Sequence, residues 1–191
     1  MREGKNRSNE RKIYRIVVCG IMAALVYVLT AYIRFPIGES KSNFANGISL
    51  LAGLLFGGPL GGVAAGLGSA LSDVLHGYSL LDIAVTFVSK FLMAFVAGVI
   101  YNNFRLPRKS VPRAIIASVT GALLYVALYM LKTLLFQLFL YGNTFQGALV
   151  VMGGKLPGSL INAVVAVIFA PILNEALRLP LKKIGLFDKL K

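Results

Sequence analysis

The sequence predicts an all-α integral membrane protein: one domain over residues 1–191, built of six transmembrane helices with both termini cytoplasmic. Three observations lead there. Of the 20 Lys and Arg residues, fifteen fall in three blocks, residues 2–15, 105–113 and 178–191. The stretches between blocks run 89 and 64 residues almost without charge, so each crosses a membrane an even number of times if the blocks share one side. The positive-inside bias makes that side the cytoplasm. Composition is the third: 57% hydrophobic against 14% charged leaves too little polar surface to solvate a 191-residue globule.

The net charge of +13 also raises nucleic acid as a partner. A nucleic-acid domain spreads Lys and Arg over a polar, foldable surface, whereas these flank apolar spans, so anionic lipid headgroups are the better match. Cys19 is the single cysteine, inside the first apolar stretch, and reads as a small packing residue.

Residues 1–12 form a basic cytoplasmic tail, and the first helix runs from about Ile13 to Ile33. Its uncharged core, residues 16–33, is longer than a signal-peptide core, so it is expected to be retained. Pro36 disfavours helix at the residue before it, and residues 35–43 read as an outside loop. Residues 44–75, with Gly57-Gly58-Pro59-Leu60-Gly61-Gly62 in the middle, are short for two full spans. They predict a compact hairpin, full-depth or partly re-entrant. Ser79–Asn102 returns inward to the basic block at 105–113, and a fifth segment runs outward from about Ala114 to Tyr141. Residues 142–155 then read as an outside connection with room for a short surface helix. The last segment is expected from Pro157, which suits a first helical turn, to Arg178, followed by a basic tail over 179–191.

Small residues mark close packing. In the first segment Cys19/Ala23 and Gly20/Ala24 are overlapping small-xxx-small pairs, and Gly61, Gly62, Gly66 and Gly68 continue the pattern in the third. A single such pair most often packs a protein against itself. Their density here points to an external helical partner, with Gly20, Ala23, Ala24, Gly62 and Gly66 as docking candidates.

Polar side chains concentrate in segments four to six, dividing the chain into a packing half and a chemical half. Lys90 sits mid-span, where a charge costs several kcal/mol unless it pairs or faces water. Asp82, Thr86 and Lys90 recur every four residues along one helical stripe, and Tyr125, Tyr129, Lys132 and Phe136 form another. Lys155 lies at the mouth of the last segment with Asn162 beyond it, and Asp73 and His76 end the third. Together with Asn43 on the outer loop, these residues predict a ligand pocket opening outward. The alternative for Lys132 and Lys155 is snorkelling to the headgroups. No catalytic spacing such as His-Glu-x-x-His, Gly-x-Ser-x-Gly or a phosphate-binding Gly-Lys-Ser/Thr loop occurs, so no enzymatic activity, metal or cofactor is expected.

Several runs, in order, resemble the substrate-binding S component of energy-coupling factor (ECF) vitamin transporters, most closely the riboflavin-type branch. They are Gly20-Ile-Met-Ala-Ala24, Arg34-Phe-Pro-Ile, Leu51-Ala-Gly-Leu-Leu-Phe-Gly-Gly-Pro-Leu-Gly-Gly, Gly66-Leu-Gly-Ser-Ala-Leu-Ser-Asp73, Phe87-Val-Ser-Lys90-Phe and Lys155-Leu-Pro-Gly-Ser-Leu-Ile-Asn162, within residues 13–178. The resemblance implies a six-helix subunit that binds a vitamin on its outward side and docks on a transmembrane T component carrying two ATPase subunits. It also implies that the loop at 35–43 closes over the ligand. The family's Ala-x-x-x-Ala docking motif is matched here by Gly20 and Ala24, one alanine being replaced by glycine. Riboflavin, a pyridoxine-like ring and a hydroxymethylpyrimidine all suit the lysine-and-tyrosine lining. A stand-alone carrier without ATPases is the alternative, and uptake persisting without the partners would distinguish it.

Overall fold

In a computed structural model the chain is a helical bundle, described over residues 2–33, 35–37, 40–42, 44–102 and 110–190. Asn43, Arg34 and residues 103–109, with the 105–109 part of the second basic block, lie outside these residues. The helices are α1 (Arg2–Tyr32), α2 (Ala45–Phe56), α3 (Gly58–Leu75), α4 (Leu80–Asn102), α5 (Val111–Phe139), α6 (Phe145–Lys183) and the short α7 (Leu186–Lys189). Between α1 and α2 a two-stranded antiparallel hairpin, β1 (Phe35–Ile37) and β2 (Ser40–Ser42), pairs Phe35 with Ser42 and Ile37 with Ser40. The segment expected as a plain loop thus carries its own ladder. Four helices, α1 from Asn9 onward, α4, α5 and α6, are long and apolar enough to cross a membrane.

Two boundaries depart from the sequence expectation. The basic tail is helical, α1 running unbroken from Arg2. The last helix begins at Phe145 rather than Pro157 and extends 39 residues to Lys183, with Pro157, Pro171 and Pro180 inside it. Its start is set by Thr144, whose hydroxyl accepts the Gly147 N–H at 3.2 Å. An interior proline removes one hydrogen bond and crowds the carbonyl four residues back. Packed neighbours and local hydroxyls compensate such losses in membrane helices, and beside Pro157 the Ser159 hydroxyl donates to the Leu156 carbonyl at 2.9 Å.

The hairpin of residues 44–75 is α2 and α3 joined through one residue, Gly57, at φ +88°, where a side chain would be strained. That turn lies at the end of α4 leading to the basic block. A Cβ added to Gly98 would meet the Gly57 carbonyl carbon at 2.7 Å, and the Asn102 amide donates to the Leu54 carbonyl at 3.3 Å. At its other end α2 starts deep, with Asn46 against Lys90 midway along α4 and Phe44 on Phe169 of α6 at 5.1 Å between ring centroids.

Twelve residues give α2 a length of only about 18 Å, and ten of the twelve are buried. It sits between two cores. One contains Leu50, Leu54, Met93, Ala97, Tyr101, Ala117, Ala122, Ala163 and Ala166 from α2, α4, α5 and α6. The other joins Met22, Ala23, Ala52 and Ala64 from α1 to α3, with Cys19 packed on it. Alanine dominates both, because in lipid the association of helices depends on close backbone approach rather than on hydrophobic expulsion.

Candidate functional site

A cavity of about 430 Å³ lies among α1, α3, α4, α5 and α6. From α4 it is lined by Asp82, Thr86 and Lys90, from α5 by Tyr125, Tyr129, Lys132, Thr133 and Phe136, and from α6 by Lys155, Ser159 and Asn162. The two stripes expected from three-to-four-residue spacing therefore face one another. Eight of the nine residues expected to bind substrate line this space, and the ninth, Asn43, is outside the described residues. His76 is not among the lining residues; its Nδ1 is 2.6 Å from the Ser72 carbonyl oxygen in the preceding turn.

The expected split into a packing half and a chemical half does not hold. Thr30 of α1 and Ser69 and Asp73 of α3 also line the cavity, and Asn46 of α2 stands directly behind it. The reason is geometric: a central cavity exposes the inner stripe of every surrounding helix, whatever that helix presents outward. Asp73 and Ser69 repeat the four-residue spacing of the α4 stripe. Asn46 carried a fainter signal, an amide within an apolar run, which needs a partner in a dry interior.

At the N-terminal end of α4 the Lys132 ammonium pairs with Asp82 at 2.7 Å, tying α5 to α4. Asp82 is itself fixed by a reciprocal cap: the Ser79 hydroxyl donates to its carboxylate at 2.7 Å and accepts its backbone N–H at 3.1 Å. Lys132 therefore points into the bundle, with its ammonium 5.1 Å from the Phe136 ring centroid. Lys155 lines the same space. Asp73 of α3 lines it too, across from Thr86.

Lys90 forms the floor. It is 4% exposed and donates to the Asn46 side-chain oxygen, while its ammonium lies 4.3 Å from the Tyr125 ring centroid. The face of an aromatic ring attracts a cation electrostatically, so the charge is held from two sides. Tyr125 and Tyr129 stack at 6.2 Å and 15°, making a continuous aromatic wall above it. This arrangement can receive a small polar molecule with a flat ring, offering cationic, anionic and hydroxyl groups at separate heights. Among the described residues no three of His, Cys, Asp and Glu gather as a metal site.

The docking candidates separate into two sets. Gly20 and Ala24 are exposed on α1, and a Cβ on Gly20 would meet nothing within 4 Å. Ala23 is buried in the α1–α3 core. Gly62 and Gly66 are used internally, correcting their expected place on an outer face: a Cβ on either would lie 2.9 Å from a ring carbon, Phe91 Cδ2 for Gly62 and Phe87 Cδ2 for Gly66. Both glycines exist to let α3 lie against those phenylalanines of α4.

A family model described as ECF-type riboflavin transporter, S component, matches residues 10–179. No curated protein matches the chain. Among solved structures, one described as "Structure and mechanism of the S component of a bacterial ECF transporter" aligns with a TM-score of 0.69 at 22% identity. The alignment covers 90% of this chain and 99% of that one, and at this identity it speaks to the fold. Matched over nearly its whole length by that family model, this membrane-embedded chain belongs to the S components of ECF-type riboflavin transporters.

Proposed function

We propose that the chain is the high-affinity substrate-binding subunit of an ATP-driven ECF importer, taking a water-soluble vitamin or related heterocycle from outside the cell into the cavity above Lys90. The observation that carries this reading is the cavity itself: five ionisable side chains, Asp73, Asp82, Lys90, Lys132 and Lys155, converge with two stacked tyrosines inside an otherwise apolar bundle. Ionisable groups in a membrane interior mark a ligand or ion pathway. Riboflavin is the first substrate to test, because the matching family is named for it. Lys90, Lys132, Lys155 and Asn162 supply polar contacts, and Tyr125 and Tyr129 the stacking surface.

In this reading the six segments leave both termini and the basic block at 105–113 on the cytoplasmic side, and α2, too short for a full crossing and starting beside Lys90, makes with α3 a partly re-entrant hairpin. The coupling partner is a T component carrying two ATPases, docking on the Gly20/Ala24 face of α1. The apolar stretch of α1 is only 22% buried, against 33–39% for α4, α5 and α6, so α1 has the most free surface to offer. Energy for release comes from those partners.

Equilibrium binding of riboflavin to the purified chain, followed by quenching of flavin fluorescence, tests the binding half. Saturable one-to-one binding that Lys90→Ala and Asn162→Ala each weaken at least about tenfold, the worth of a charge-assisted hydrogen bond, is the expected result. Absence of binding to riboflavin, pyridoxine and hydroxymethylpyrimidine alike would overturn it. The coupling half is tested by copurification of a T component, and vitamin uptake that persists without ATPases would favour a stand-alone carrier.

A further inference from the structure

Lys90 lines the cavity and Asn46 does not, yet Asn46 is the group that grips Lys90. Each is 4% exposed. A lysine carries three N–H donors on a flexible four-carbon stem, so without a second anchor its ammonium samples many positions. Asn46 has no such freedom. It stands in the first turn of α2, between Ala45 and Gly47, both buried, on a helix enclosed by neighbours on nearly every side. Its partner is 44 residues away on α4.

We propose that Asn46 is the positioning residue of the cavity: it fixes the Lys90 ammonium against the Tyr125 ring so that a remaining N–H is aimed into the cavity at an acceptor atom of the ligand. A neutral amide suits this task. An aspartate would grip as well but cancel the charge, whereas the amide oxygen orients the ammonium and leaves its full charge for the ligand. The role rests on the reading of the cavity as a ligand site, but the geometry it requires exists before any ligand arrives.

That separation supplies the test. In detergent-solubilised protein labelled with ¹³C-lysine, the Lys90 ε-methylene protons should resonate upfield under the ring current of Tyr125, assigned by their loss in Lys90→Met. Asn46→Ala and the near-isosteric Asn46→Leu should each return that signal to the ordinary lysine position, while Asn46→Asp, which keeps the acceptor oxygen, retains the shift. An unmoved signal in whichever of the Ala and Leu variants folds would overturn the proposal. With riboflavin as the probe, Asn46→Leu should weaken binding about tenfold and add nothing in a Lys90→Ala background, the signature of two residues acting as one. Additive losses would overturn it. If the wild-type chain binds none of riboflavin, pyridoxine and hydroxymethylpyrimidine, the functional reading fails and the lysine spectrum alone decides the positioning role.

Discussion

Two small-residue faces, one on α1 and one on α3, have the same spacing and opposite fates. Gly20 and Ala24 look outward with open space over Gly20, while Gly62 and Gly66 are pressed against Phe91 and Phe87. A small residue every fourth position states that something can approach closely. It does not state what. The difference lies in the partner sequence: α4 presents Phe87, Phe91 and Phe95 at the same four-residue interval, stacked ring on ring at 6.3 and 5.5 Å. The glycines of α3 form the trough for that ridge. Nothing in the described residues plays the same part for Gly20.

The largest effect should come from filling the trough. Gly66→Leu forces a branched side chain into space held by Phe87, and overpacking of this kind costs about 3 kcal/mol or more. Gly62→Leu meets Phe91 in the same way. Both should lower the thermal midpoint and the yield of monodisperse protein. Gly20→Leu should fold like the wild type and fail instead to copurify a T component. Equal destabilisation at positions 20 and 66 would erase the distinction between the faces.

The seam between α4 and α5 adds a charged contact to its small-residue packing, where Gly121 lies against Met93 and Ala97. Where the start of α4 meets the end of α5, Asp82 and Lys132 hold the helices by an ion pair whose side chains are 20% and 18% exposed. Partial exposure screens the pair, and removing one partner strands the other, so Asp82→Ala is expected to cost about 1–2 kcal/mol. Lys132→Ala in that background should cost little more. This coupling, read by a double-mutant cycle in thermal unfolding, should exceed that of Asp82 with Lys90, which shares its helix but not its bond. An Asp82/Lys132 pair that behaves additively would mean that the α4/α5 seam depends on packing alone.

Much of this could be read from the sequence because it is carried by one-dimensional patterns. Charge blocks and apolar lengths are local quantities, and the stripes Asp82/Thr86/Lys90 and Tyr125/Tyr129/Lys132 follow from helical spacing alone. What could not be read depends on pairing between distant segments. Whether Gly62 faces lipid or Phe91 depends on how α3 lies on α4, and Lys90 finds Asn46 across 44 residues. Pro157 misled for a related reason: proline marks a helix start where its missing donor is harmless, yet inside a bundle neighbouring contacts let the helix run through it from Phe145.

The smallest effect is the sharpest test of the open face. Gly20→Ala adds one methyl group where nothing lies within 4 Å, so no packing clash or cavity changes, and the unpartnered chain should shift by less than about 0.5 kcal/mol, the range of an indifferent surface substitution. In Gly66 the same methyl meets Phe87 at 2.9 Å, and a measurable loss is expected. The contrast has a functional side under the proposed docking on α1, because alanine at position 20 with Ala24 makes the full Ala-x-x-x-Ala pattern that the family resemblance implies for that contact. Gly20→Ala should therefore keep both its melting temperature and its copurified partner, while Gly20→Leu keeps only the first. If alanine alone already released the partner, the docking surface would demand backbone contact at Gly20 itself, closer than two alanines permit.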